Sequence, residues 1–351
     1  MSSTFAPFGD ARFWDLIFET AQSAVGGVVS HDVAVGPCRM RLRLAGPALV
    51  ERLLPGLELL REAPSDDSPQ LTVHLWDSYS TGIKLDSVFR AADGGGGKST
   101  VAEQMHVSYD PETQVVRAVS ADRRKAWWVV PDARRLHYYS RSAPLRDFIH
   151  IALRHTGMPM LHAGAVGLPD GGVLLIGPGG SGKSTATLAC LGSELGILSE
   201  DYTAVEPGLV PKAWGIYSTA KFNDDTRRWV PLLEDYIVNP THSPPEKNLV
   251  YLHRVQPVQM LREMPLRGVF VVGRSPSQET YIVPASRGET LRALAPSTLL
   301  QLRGAGEKFH PEESGLTDQA QLLRQLPCHR ILTGSNLPSI PNAILKFLRS
   351  Q

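Results

Sequence analysis

Gly172-Val-Leu-Leu-Ile176-Gly177-Pro-Gly-Gly-Ser-Gly182-Lys183-Ser184-Thr-Ala-Thr-Leu-Ala-Cys-Leu191 is the stretch whose reading decides the fold. Val173 to Ile176 is an apolar run bounded by glycines, the pattern of a buried strand. Gly177 to Ser184 then matches G-x-x-x-x-G-K-[ST] at each fixed position. Thr185 to Leu191 has the composition of a helix, with Ala186, Leu188, Ala189 and Leu191 apolar. Strand, glycine loop and helix in this order are the context in which the motif, a Walker A P-loop, cradles phosphate. Glycines let the loop turn its amide N–H groups toward an anion, and the following helix adds the positive end of its dipole. Gly177, Pro178, Gly179, Gly180, Ser181, Gly182, Lys183, Ser184 and Thr185 are therefore the residues expected to bind ATP. Lys183 is expected to reach the outer phosphates, and the Ser184 hydroxyl to ligate Mg²⁺.

A second strand, Gly196 to Ser199, ends in Glu200-Asp201. A carboxylate at such a strand end can hold Mg²⁺ beside a P-loop. Two adjacent carboxylates, Glu200 and Asp201, allow two tasks, one on the metal and one as base toward a hydroxyl. Neighbours on a strand point to opposite faces, so both serve one site only if the backbone turns there. The competing reading is a solvated acidic turn.

With these residues in hand, the stretch from Met160 to Val205 resembles the catalytic domain of HPr kinase/phosphorylase and its serine-kinase relatives. The resemblance is carried by His162 in Met160-Leu-His-Ala-Gly164, by the P-loop, and by the paired carboxylates, at spacings like the family's. Two departures stand out: the family's His-Gly is His162-Ala163-Gly164 here, and its first Asp is Glu200. The resemblance implies a phosphoenolpyruvate-carboxykinase-like P-loop fold. It also implies ATP- and Mg²⁺-dependent phosphorylation of a serine-type hydroxyl in a protein, peptide or small molecule. His162 is expected either to pack in the core or, if functional, to orient a carboxylate such as Glu200 or touch the γ-phosphate. Relatives carry an arginine after the paired carboxylates; Arg267, Arg274 and Arg287 are the candidates, and Lys221 is either a phosphate contact or, as we prefer, a surface lysine.

Composition narrows the classes. The chain has 351 residues, 42% hydrophobic and 20% charged, as expected of a globular protein of two domains. A net charge of +1 gives no case for nucleic acid or an anionic membrane as partner. Cys38, Cys190 and Cys328 are widely spaced and form no metal or redox motif, which suggests a reducing compartment. No apolar run reaches about 18 residues, and the first residues lack a signal-peptide pattern, so the cytoplasm is expected. A homo-oligomer is compatible with all of this.

The fold class expected is α/β, with a smaller mixed α/β domain at 1–144 and the P-loop domain at 145–351. In the first, Cys38, Met40, Leu42 and Leu44 alternate with Arg39, Arg41 and Arg43, a half-buried strand whose arginines face solvent or, less simply, phosphate. Phe13 to Phe18 and Pro47 to Leu60 read as helices. Gln70 to Trp76 and Trp127 to Val130 read as strands, and Met105 to Val119 as a hairpin. Gly94-Gly-Gly-Gly-Lys98-Ser-Thr100 imitates a P-loop, but Ala92 stands at the first glycine and no strand precedes it, so we read a surface loop. Ser142 to Thr156 is expected to be a Ser-capped helix opening the second domain. Further on, strands are expected at Asn248 to His253 and Arg267 to Arg274. Helices are expected at Glu289 to Leu302, Asp318 to Leu326 and Ile340 to Leu348. The leading function is an ATP-dependent kinase. The alternative is a regulatory ATP-binding protein whose nucleotide state gates a partner contact.

Overall fold

The computed structural model describes residues 8–85, 99–102, 105–242, 246–302 and 316–350. It is a mixed α/β chain of two compact units, Met1–Pro55 with Arg61–His155, and Gly56–Leu60 with Thr156–Gln351. Gly94 to Lys98, the imitation P-loop, lies outside the described residues.

The first unit is built on one eight-stranded mixed sheet. Its strands are β1 (Val28–Val35), β2 (Cys38–Ala45), β3 (Arg61–Glu62), β4 (Leu71–Asp77), β5 (Ser99–Ala102), β6 (Met105–Asp110), β7 (Val115–Ser120) and β8 (Lys125–Val130). They run in the order β3-β1-β2-β4-β8-β7-β6-β5. A helix over Ala11–Ala24, capped by the Asp10 side chain on the Arg12 N–H, buries Trp14, Phe18 and Ala21. Those side chains join Trp76 and Trp127 in the core. The alternation in β2 is as expected: Cys38, Met40, Leu42 and Leu44 are buried. The arginines opposite them are committed to the protein itself. Arg41 grips Asp32 with two bonds of 2.8 and 2.9 Å, and Arg43 lies over the Phe18 ring. Pro47 to Leu60 is a short helix, Val50–Leu53, continued as a 3₁₀ turn over Leu54–Leu60.

Two expectations are corrected here. The helix read as opening the second domain is Arg146–His155, and it belongs to the first unit, where it packs on β2 and β4. Ser142 does not cap it; Ser142 ends a separate short helix, Tyr138–Ser142, and its hydroxyl donates to the Tyr139 carbonyl.

The second unit carries the P-loop. Its strands are β9 (Met160–His162), β10 (Gly164–Leu168), β11 (Gly171–Ile176), β12 (Gly196–Ser199), β13 (Tyr202–Glu206), β14 (Lys212–Gly215), β15 (Thr219–Phe222), β16 (Asn248–Tyr251), β17 (Glu263–Arg274), β18 (Tyr281–Pro284) and β19 (Cys328–Thr333). β11 is parallel to β17, which is parallel to β19; on the other side β10 lies antiparallel between β11 and β12. The first part of β17 pairs instead with β14, leading to β13 and β9. β15 and β16 form a separate two-stranded sheet.

β11 explains the apolar run. Val173 and Leu175 enter one core with Ala186, Leu188, Ile340 and Ile344; Leu174 and Ile176 enter the other with Leu294, Leu322 and Leu323. A strand covered on both faces needs apolar residues at every position. The helices Arg287–Leu302 and Leu316–Gln325 cover one face, and Lys183–Leu188 and Ser339–Arg349 the other.

Candidate functional site

Register brings the motifs together. Gly164, at the start of β10, pairs with Leu175 near the end of β11. Ala165 pairs with Ser199 at the end of β12. The glycine loop and Glu200-Asp201 therefore leave β11 and β12, the two strands on either side of β10, at one end of the sheet. Tyr202, the first residue of β13, pairs with His162 of β9, which sets the histidine beside Asp201. Glu200 and Asp201 lie where the chain leaves β12 for β13, so the backbone turns between them as the two-task reading required.

The loop has the backbone that its glycines permit. Gly180 and Gly182 have φ of 80° and 102°, a region that side chains disfavour. At Gly177, a Cβ would come within 2.7 Å of Ser181 Oγ, itself a buried hydroxyl with no hydrogen-bond partner in the structure. The helix that follows spans six residues, Lys183–Leu188, shorter than the expected 185–191. Its dipole is correspondingly modest, so the loop amides and Lys183 dominate any attraction for anions. Lys183 is buried and donates to the carbonyls of Gly177 at 2.6 Å and Pro178 at 3.2 Å. Burial lowers its ammonium below the usual lysine range, against the opposing pull of Asp201 and Glu200.

The two carboxylates stand in different surroundings. Glu200 is buried and accepts the Lys221 N–H at 3.1 Å. Burial, then the charge of Asp201, pushes its carboxyl above the ordinary range. Asp201 accepts from His162 Nε2 at 2.8 Å and from Lys221 Nζ at 2.7 Å. Burial alone would raise it; Lys221 and His162 outweigh burial and hold it well below the usual carboxylate range. Lys221 is held above the ordinary amine range, since Asp201 outweighs its own burial. One member of the pair is thus firmly ionised while the other is a better proton acceptor.

Two expectations shift in detail. His162 meets Asp201 rather than Glu200, and its backbone N–H is held by Thr298 Oγ1 at 3.1 Å. Lys221 is no surface lysine, its side chain being 14% exposed and paired with Asp201. Nothing in the sequence Ser218-Thr-Ala-Lys221-Phe222 marks it, because its partner is reached only through the fold. Of the arginines, Arg267 bonds the Asp170 carbonyl and Arg287 the carbonyls of Leu323 and Arg324. Arg274 lies exposed at the end of β17, the same end from which β11 enters the glycine loop. Thr185 Oγ1 lies 3.1 Å from Thr226 Oγ1.

The donor set fits the groups expected of it. Mg²⁺ prefers hard oxygen ligands, and Ser184, Glu200 and Asp201 supply them in one place. The orphaned Ser181 hydroxyl and the Lys183 ammonium, parked on loop carbonyls, suit an arriving phosphate. Among the described residues no helix is long and apolar enough to cross a membrane.

No known family's model matches the chain, and no curated protein matches it. Among solved structures, the Hpr(Ser) kinase/phosphatase from Coxiella burnetii matches over 54% of this chain and 96% of that one, at 10% identity and a TM-score of 0.30.

Proposed function

We propose that the site binds Mg-ATP and transfers the γ-phosphoryl group to a serine-type hydroxyl of a protein, peptide or small molecule, on a P-loop kinase core. One observation supports this above the others. The lysine-bearing glycine loop and an acidic pair emerge at the same end of the sheet, from the two strands that flank β10, with Asp201 paired with His162 and Lys221. An acidic turn in solvent would not be buried in this way.

The roles follow from the surroundings. Lys183 leaves the carbonyls of Gly177 and Pro178 to neutralise the outer phosphates. Ser184 and the ionised Asp201 hold Mg²⁺, which supplies further charge neutralisation at the phosphates. Glu200, the carboxylate left unpaired by the Lys221 ammonium and His162, accepts the proton of the attacking hydroxyl. His162 keeps Asp201 oriented. Catalysis of this kind is mainly positioning plus electrostatic stabilisation.

Incubation with labelled ATP, Mg²⁺ and a panel of hydroxyl acceptors tests the reading. Transfer of label to one acceptor is expected. Absence of ATP binding overturns it. ATP binding without any transfer, together with a nucleotide-dependent change in a partner's affinity, replaces it with the regulator.

A further inference from the structure

Lys221 touches both members of the acidic pair at once. Its ammonium lies 2.7 Å from Asp201 Oδ2, and its backbone N–H donates to Glu200 Oε2 at 3.1 Å. It does so from β15, outside the main sheet. Two residues on, Asn223 caps the helix Asp224–Trp229, its side chain accepting both the N–H and the hydroxyl of Thr226. With that proton committed, Thr226 Oγ1 is left to accept from Thr185, 3.1 Å away on the P-loop helix. A single short segment thus grips the acidic pair at Lys221 and the start of the P-loop helix at Thr226.

Packing alone does not account for a lysine here. Desolvating an ammonium is costly, and an apolar side chain of similar volume fills space at less expense. Two adjacent carboxylates in a buried turn repel each other, and an intervening cation offsets that repulsion. The geometry also separates them: Asp201 is turned toward His162 and the Lys221 ammonium, Glu200 toward the Lys221 main-chain N–H.

We infer that Lys221 is a positioning residue of the phosphoryl-transfer site, its ammonium fixing Asp201 while its main chain fixes Glu200. The inference rests on the nucleotide reading above and adds a residue outside both motifs. Lys221 acts through Asp201, not through phosphate.

Five proteins test it: wild type, Lys221→Met, Lys221→Arg, Asp201→Asn, and Lys221→Met combined with Asp201→Asn. The readouts are Mg-ATP affinity, the Mg²⁺ concentration for half-maximal ATP turnover, and the single-turnover rate, with thermal melts to check folding. Lys221→Met should lose about 10–100-fold in turnover or apparent Mg²⁺ affinity, the usual range for removing a partner that orients a metal-site ligand. Lys221→Arg should recover most of that loss. In the Asp201→Asn background, Lys221→Met should cost little more, since no charge is left to hold. That comparison stands even where Lys221→Met alone fails to fold, because the double variant buries neither charge. Wild-type turnover and Mg²⁺ response in folded Lys221→Met overturn the inference. So does a Lys221→Met loss as large in the Asp201→Asn background as in wild type. A wild type that binds no Mg-ATP overturns the nucleotide reading instead.

Discussion

Gly164→Ala is a sharp test of how the site is assembled. Gly164 stands where β10, the P-loop helix and the acidic turn converge. A Cβ there would lie 2.6 Å from Thr187 Oγ1, 3.2 Å from the Glu200 carbonyl and 3.5 Å from the Ser199 carbonyl. The surroundings have little room to yield: Thr187, Ser199 and Glu200 are 0%, 1% and 3% exposed. Thr187 is β-branched and on a helix, so its rotamers are few. One added methyl in such a core costs about 1–3 kcal/mol. Relief comes from moving the P-loop helix away from Glu200, which also alters the spacing between the glycine loop and the acidic pair. Gly164→Ala should therefore lower both stability and ATP affinity. Removing the first obstacle should restore much of both. Thr187 Oγ1 has no hydrogen-bond partner in the structure, so Thr187→Ala loses little by itself, and Gly164→Ala/Thr187→Ala leaves only the two carbonyl contacts. Urea unfolding and fluorescent-nucleotide titration of the three variants measure this. Gly164→Ala at wild-type stability and affinity, or a double variant no better than Gly164→Ala, would refute the reasoning.

Lys183→Ala should abolish detectable ATP binding while thermal melts show a folded protein, because among the described residues its ammonium bonds only the loop carbonyls of Gly177 and Pro178; unchanged affinity would remove the P-loop from the argument. Glu200→Gln keeps the shape and removes the base, so it should bind Mg-ATP yet lose about 10²–10⁴-fold in single-turnover transfer. Asp201→Asn should instead raise the Mg²⁺ needed for ATP binding. It should also cost about 3 kcal/mol of stability in urea unfolding, as Lys221 is left nearly buried without its anion. His74 gives a pH test in the first unit. It stacks on Trp127, and burial, then Arg43, lowers it from 6.5 to about 4. The unfolded chain binds a proton that the folded chain refuses, so this stability is complete above about 6.5 and is lost as pH falls toward 4. The loss should amount to about 3 kcal/mol and should shrink in His74→Gln, as read from urea midpoints across that range.

The local pattern of the candidate site was legible in the chain. An apolar run between glycines, a P-loop at full match and an acidic strand end are short-range patterns, and β11, the loop and β12 lie where those patterns put them. The arginine alternation in β2 was equally plain, since a period of two needs no knowledge of the partner strand. The limits of the two units were not. Arg146–His155 is amphipathic wherever it packs, and its apolar face says nothing about which sheet receives it. Strands β18 and β19 were missed because they are short and their pairing is long-range. The division of labour at the acidic pair was decided by tertiary structure alone. Which carboxylate meets His162 depends on the pairing of Tyr202 with His162, and which meets Lys221 depends on a strand outside the main sheet. Sequence spacing can bring residues to one strand end, but the directions of their side chains are set by the turn between β12 and β13. That turn is shaped by every strand around it.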